Sequence, residues 1–133
     1  MIPRDEFEQL IAEEFPNAIP ERFRARVKNV AFIVEDEPSL ELRKREGLAP
    51  NETLLGYYHG IPHIARDSGY GVGGTMPDTI TLFQLPIEHE ALELGGTIDH
   101  VRKVIRETIW HEIAHHFGMD EPQVREREQN RLE

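Results

Sequence analysis

The chain has 133 residues, of which 38% are hydrophobic and 30% are charged, and its formal net charge at pH 7 is −10. This length predicts a single domain over residues 1–133 with one hydrophobic core. The excess of carboxylates argues against a nucleic-acid partner, because neutralising phosphates requires clustered Lys and Arg. The absence of cysteine excludes disulfides and thiolate metal sites, so any metal must be held by His, Asp or Glu.

The apolar residues are distributed as in a globular protein rather than a membrane protein. No apolar run approaches the ~20 residues that a membrane-spanning helix requires. The N-terminal residues 1–6 are charged and resemble the start of an amphipathic helix, without the apolar segment of a secretory signal. We therefore expect a cytoplasmic protein with no membrane partner.

The N-terminal region predicts a helix followed by a break. Apolar residues at helical spacing indicate an amphipathic helix that begins at Asp5, which is a suitable N-cap residue. Pro16 and Pro20 are expected to interrupt the helical pattern. A short turn or helix is then expected over residues 21–27.

The central region predicts three strands. Residues 30–34 form an apolar run that predicts a buried strand, and residues 54–59 predict a second strand. The charged residues 38–52 between these strands predict a loop or a loose helix. Thr alternates with apolar residues over residues 79–84, which predicts a third strand with one face less buried than the other.

The C-terminal region predicts helices. A short helix is expected from Pro86 to about Leu94. The longest helix is expected to be capped by Thr97 or Asp99 and to run to about Phe117. Its predicted buried face consists of Val101, Val104, Ile105, Thr108 and Ile109. The order of helix, three strands and further helices predicts an α+β fold, in which helices pack on a small mixed β-sheet.

The segment from Trp110 to Glu121 carries the candidate chemistry. His111 and His115 are four residues apart on the predicted helix, so their Cβ atoms are ~5–6 Å apart and both imidazoles can bind one zinc ion. Glu112 is rotated off this line, where it can accept a proton from a water that the metal activates. The segment therefore predicts one Zn²⁺ per chain, with His111 and His115 as ligands and Glu112 as the catalytic base.

Two histidines are not enough, because a catalytic zinc usually has three protein ligands. Gly118 is expected to end the helix and to return the following residues towards the metal. Glu121 lies three residues after Gly118, and either Glu121 or Asp120 beside it could supply the third ligand. His116 points elsewhere on the helix and is expected to have a supporting or structural role.

Other histidines and tyrosines are not expected to contribute, because nothing in the sequence places them near the metal. The histidines without ligand spacing are expected on the surface or in loops: His59, His63, His89 and His100. The tyrosines are expected to be packing residues: Tyr57, Tyr58 and Tyr70.

The segment from His111 to Glu121 resembles the zincin motif His-Glu-x-x-His-x-x-Gly-x-x-(His/Asp). Together with the stretches at residues 29–36, 54–62 and 77–83, it makes the chain similar to the bacterial minimal zincin-like metallopeptidase family. The motif helix is the specific part of this resemblance, and the three strand-like stretches are weaker signals.

The resemblance implies a minimal zincin-like α+β fold, a bound zinc ion and a peptide or protein substrate. Carried over by position, His111 and His115 are metal ligands and Glu112 is the general base. The third ligand falls on Glu121, where the family motif has His or Asp. The strand at residues 79–84 resembles the zincin edge strand, which pairs with an extended substrate through backbone hydrogen bonds.

Two alternatives remain open. The spacing of His111, His115 and residue 121 also resembles the three-histidine motif of bacterial rRNA-maturation metalloproteins, which would make the chain a metal-dependent ribonuclease-like hydrolase. The acidic residues Glu112 and Glu121 and the net charge argue against this alternative. The chain could instead be a non-catalytic binding module that a metal stabilises, and metal removal would then unfold it.

Overall fold

The structure is a computed structural model that describes residues 1–25, 27, 29–60 and 77–117. In chain order its elements are α1 (Arg4–Ala18), α2 (Glu21–Arg24), β1 (Val30–Glu35), α3 (Leu40–Arg45), β2 (Gly56–His59), β3 (Asp78–Phe83), α4 (Gln84–Leu94) and α5 (Ile98–His116). No helix in these parts of the chain is long and apolar enough to cross a bilayer. The predicted α+β class is confirmed.

The three strands form a mixed sheet in the order β1-β3-β2. Strand β3 runs parallel to β1 and antiparallel to β2. Ile80 and Leu82 on β3 are fully buried, whereas Thr79 and Thr81 on its other face are half-buried, as the alternation predicts.

The interpretation of residues 79–84 as an edge strand is wrong. Strand β3 is paired on both sides, and β1 and β2 are the edges of the sheet that the described residues form. Alternation along β3 reports which face is buried, but the pairing of β3 depends on residues far away in the sequence. The edge strand beside the motif helix is β2, because α5 packs against β2.

Helix α5 begins with a capping box. Of the two candidate caps, Thr97 has this role: its side chain accepts a hydrogen bond from the His100 backbone N–H, and the His100 ring accepts one from the Thr97 backbone N–H. One side of α5 is buried in the core and includes Val101, Val104, Ile105, Thr108, Ile109, Trp110, Ile113 and Ala114. Its predicted buried face is therefore confirmed, and it is longer than the sequence indicated.

Helix α1 differs from its prediction at both ends. Pro3 precedes its first turn and no side chain caps it, so Asp5 is not the N-cap; the Asp5 carboxylate accepts a hydrogen bond from the Glu6 N–H within the first turn. Pro16 lies inside the helix, which continues to Ala18. The fully buried Ala18 lies on the core face, and this packing outweighs the backbone hydrogen bond that proline cannot make.

A buried carboxylate joins α1 to α5. Glu14 on α1 has a side chain that is 7% exposed, and it accepts hydrogen bonds of 2.8 Å from Arg102 Nη1 and 2.7 Å from Arg106 Nη1. Burial alone would raise the pKa of Glu14, but the hydrogen bonds and charges of Arg106 and Arg102 lower it below its ordinary value of 4.5. The ionised form of Glu14 is therefore the form that stabilises the contact between the two helices.

We expect Glu14→Gln to lower the free energy of unfolding at pH 7 by ~1–3 kcal/mol, because the amide replaces two charge-assisted hydrogen bonds with weaker ones. The folded-state pKa of Glu14 is depressed, so its contribution is present above pH 4.5 and is lost as the pH falls through the folded-state pKa. Urea unfolding followed by circular dichroism should therefore show that the difference between variant and parent shrinks below pH 4.5.

The matched control is Glu13→Gln. Glu13 contacts the same Arg102 but its side chain is 42% exposed, so we expect a loss of only ~0.2–1 kcal/mol. Equal losses in the two variants, or a difference for Glu14→Gln that does not depend on pH, would contradict the assignment of this contact.

Candidate metal centre

The motif residues converge on one cavity. His111, Glu112 and His115 line a cavity of about 470 Å³ between α5 and β2. The ring centroids of His111 and His115 are 4.2 Å apart. Ile113 and Ala114, which lie between these histidines in the sequence, point into the core. The structure therefore brings together the three residues that the sequence singled out.

The two histidines fit the requirements of a zinc ion. In a chain without cysteine, imidazole nitrogens are the strongest zinc ligands available, and here two imidazoles line one cavity wall. Asp120 and Glu121, the candidates for the third ligand, lie outside the described residues, as does Gly118. Within the described residues, no group of three or more His, Asp and Glu side chains is arranged to hold a metal ion.

Glu112 is held by the backbone of β2. The Tyr58 backbone N–H donates a hydrogen bond of 3.2 Å to Glu112 Oε1. Burial raises the pKa of Glu112 to about 7, while the Tyr58 hydrogen bond and the charge of His115 act in the opposite direction and the charge of Glu46 adds to the rise. A carboxyl group with a pKa near neutrality is suited to accepting and releasing a proton.

Three side chains attach the end of α5 to the sheet, and we call them the Tyr58 cluster: Tyr58, Asp78 and His116. The Tyr58 hydroxyl donates a hydrogen bond of 2.6 Å to Asp78 Oδ2. The Tyr58 ring stacks on the His116 ring with centroids 3.9 Å apart, and His116 Nε2 lies 3.9 Å from Asp78 Oδ2. The predicted supporting role of His116 thus has a physical basis, because its contacts fix the helical turn that carries His115.

Gly60 makes room for this cluster. A Cβ atom at Gly60 would lie 2.8 Å from His116 Cε1, which is closer than real Cβ atoms approach. Glycine at this position, directly after β2, therefore allows the His116 ring to stack on Tyr58.

A second cavity of about 380 Å³ adjoins the first. We call the two cavities together the β2–α5 groove. The residues that line both cavities are Leu54, Gly56, His111 and Glu112. His111 and Glu112 therefore lie where the two halves of the groove meet, with space on either side of them.

The edge of β2 that is not paired with β3 faces this groove. Leu55 O accepts a hydrogen bond from Phe83 N, whereas the Tyr58 N–H points away from β3 towards Glu112. Backbone directions alternate along a strand, so the Gly56 N–H and C=O also point away from β3. A Cβ atom at Gly56 would lie 2.9 Å from Thr108 Cγ2, so glycine here permits the close approach of β2 and α5.

The sequence did not reveal several residues of this site. Tyr57, Tyr58 and Glu46 line the cavity with the motif histidines, although both tyrosines were expected only to pack. Tyr58 is 54 residues from Glu112 in the sequence, and no local pattern reports a contact over that separation. Tyr70 and His63 lie outside the described residues.

Comparison with known proteins identifies the family. The family model described as zincin-like metallopeptidase matches residues 27–131, and no curated protein matches the chain. The matched range contains α5, the whole β2–α5 groove and the positions of Asp120 and Glu121. Zincin-like proteins use a metal, usually zinc, which agrees with the paired histidines on α5. Since the match covers most of the chain and all of the candidate site, the protein belongs to the zincin-like metallopeptidase family.

Proposed function

We propose that the protein is a zinc-dependent peptidase that hydrolyses peptide bonds in the β2–α5 groove. One observation carries this proposal: His111, Glu112 and His115 line a single cavity beside an edge strand whose backbone holds Glu112. Two metal ligands, a proton acceptor and a surface for an extended chain are among the parts that water-activated peptide hydrolysis requires, and a third metal ligand completes them.

His111 and His115 would hold the zinc ion, with the third ligand supplied by Glu121 or by Asp120. The bound ion supplies Lewis-acid polarisation and lowers the pKa of a water molecule. Two imidazoles and one carboxylate are a known ligand set for catalytic zinc, and this protein has no thiolates.

Glu112 would transfer the proton. Its carboxylate accepts a proton from the attacking water as the water oxygen bonds to the carbonyl carbon of the substrate. The same carboxyl group then donates this proton to the leaving nitrogen as the carbon–nitrogen bond breaks, and the products are a carboxylate and an amine. The Tyr58 N–H holds Glu112 through Oε1, and Oε2 would then take part in this exchange.

Strand β2 would position the substrate. The backbone groups of β2 that are not paired with β3 would pair with an extended peptide. Such backbone pairing does not depend on the side chains of the substrate. Selectivity for particular substrate side chains must therefore come from the cavities on either side of His111. The ribonuclease-like alternative gains no support here, because carboxylates and not cations line the described part of the groove.

The first test concerns the metal. We expect the zinc-incubated protein to retain one zinc ion per chain after gel filtration, and His111→Ala to retain almost none, as measured by elemental analysis. His89→Ala is the matched control, because His89 is exposed on α4 and lines neither cavity of the groove; it should keep its zinc. A full equivalent of zinc in folded His111→Ala would show that the ligands are assigned wrongly.

The second test concerns the third ligand. We expect Glu121→Ala to weaken zinc binding by ~10–100-fold more than Asp120→Ala, because Glu121 occupies the ligand position of the motif. Competition with a chromophoric chelator measures both affinities. The reverse order of the two affinities would assign the ligand to Asp120.

The third test separates a peptidase from a binding module. Gln has the shape of Glu but cannot accept the proton, so Glu112→Gln should keep the fold and the zinc and lose ~10²–10⁴-fold in the rate of peptide hydrolysis. Mass spectrometry of an unstructured peptide pool, with added zinc, measures the products. Equal cleavage by parent and variant would refute the role of Glu112, and no cleavage by the zinc-loaded parent would favour the binding module.

A further inference from the structure

The described residues of the β2–α5 groove are acidic rather than basic. Among the described residues that line its two cavities, every acidic or basic side chain other than histidine is a glutamate, and no Lys or Arg is present. The glutamates are Glu46, Glu90, Glu107 and Glu112. Charges of one sign in a cleft raise the local concentration of ligands of the opposite charge.

Glu46 and Glu90 lie on opposite sides of His111 and Glu112. Glu46, directly after α3, lines the larger cavity with Tyr58 and His115. Glu90 on α4 lines the smaller cavity. His111 and Glu112 lie between these two regions because they line both cavities. A peptide that crosses the groove would therefore pass a carboxylate on either side of the bond to be cleaved.

The smaller cavity also has an apolar lining. Leu54, Leu55 and Val104 form part of its wall, and Glu90 lies at the surface. Thr108 is 6% exposed and lines the same cavity, and its hydroxyl has no hydrogen-bond partner among the described residues. An apolar wall with a carboxylate at its exposed end matches a Lys or Arg side chain, which buries its methylene stem and keeps its charge near water.

We propose that the β2–α5 groove selects peptides with a cationic group beside the cleaved bond, recognised by Glu46 in one cavity and by Glu90 in the other. The cation is either a Lys or Arg side chain or a free N-terminal ammonium group. The inference rests on the proposed peptidase function for cleavage, whereas binding of the cationic peptide requires only the groove.

Binding can be measured without hydrolysis. The full chain, kept zinc-free with a chelator, is titrated into fluorescent peptides of equal length whose central apolar pair is flanked by Lys, Gln or Glu. We expect the Lys peptide to bind at least ~10-fold more tightly than the Glu peptide by fluorescence anisotropy. Each peptide is used with a free and with an acetylated N-terminus, and a preference that disappears on acetylation identifies the ammonium group as the cation.

Charge-reversed variants test which glutamates cause the preference for the Lys peptide. Glu46→Lys and Glu90→Lys should each reduce the ratio of Lys-peptide to Glu-peptide affinity by ~10-fold. Both side chains are exposed, so the folds should persist, and Gln variants at the same positions give a milder form of the test. Glu8→Lys is the matched control: Glu8 is exposed on α1, lines neither cavity and changes the net charge equally.

The outcomes separate the two proposals. The groove proposal is overturned if no peptide binds, if all peptides bind equally, or if Glu8→Lys removes the preference as fully as Glu46→Lys does. Charge-selective binding without cleavage by the zinc-loaded protein would support the groove proposal and contradict the peptidase function. Cleavage without charge preference would support the peptidase function and overturn the groove proposal.

Discussion

The same turns of α5 close the hydrophobic core and carry the candidate zinc ligands. Trp110 and Ile113 are buried, and they flank His111 and Glu112 in the sequence. Each residue advances the helix by about 100°, so burial of the first pair fixes the direction of the second. Turning the helix to point the ligands elsewhere would expose Trp110, and each large apolar side chain so exposed costs ~1.5–3 kcal/mol. Core packing thus sets the orientation of the site before any metal binds.

Strand β2 supplies the other wall of the site, and Tyr58 contacts α5 through both its backbone and its side chain. Its backbone N–H holds the carboxylate of Glu112, and its side chain, bonded to Asp78, supports the ring of His116. Glu112 and His116 lie on successive turns of α5. Tyr58 alone therefore holds two successive turns of the helix against β2. Substitution at Tyr58 would remove only the side-chain contacts, since the backbone N–H would remain to hold Glu112.

Features set by neighbours in the sequence were predictable, and features set by distant residues were not. The spacing of His111 and His115, the Thr97 cap and the buried face of α5 are local, and the structure reproduces them. The order of the strands and the place of Tyr58 at the site depend on contacts between distant residues, and no local pattern encodes these. Pro16 shows the same limit in a helix, because tertiary packing overrides its propensity to end α1.

The placement of the ligands also bears on what the metal does. His111 and His115 are not part of the hydrophobic core that the described apolar residues of α1, α4, α5 and the sheet form. The contacts of Glu14 with Arg102 and Arg106 join α1 to α5 with no contribution from the histidines. A protein whose core includes its metal ligands gains its folding free energy from the ion. Here the core of the described residues forms without the histidine pair, which favours the proposed role of the ion in chemistry over a role in folding.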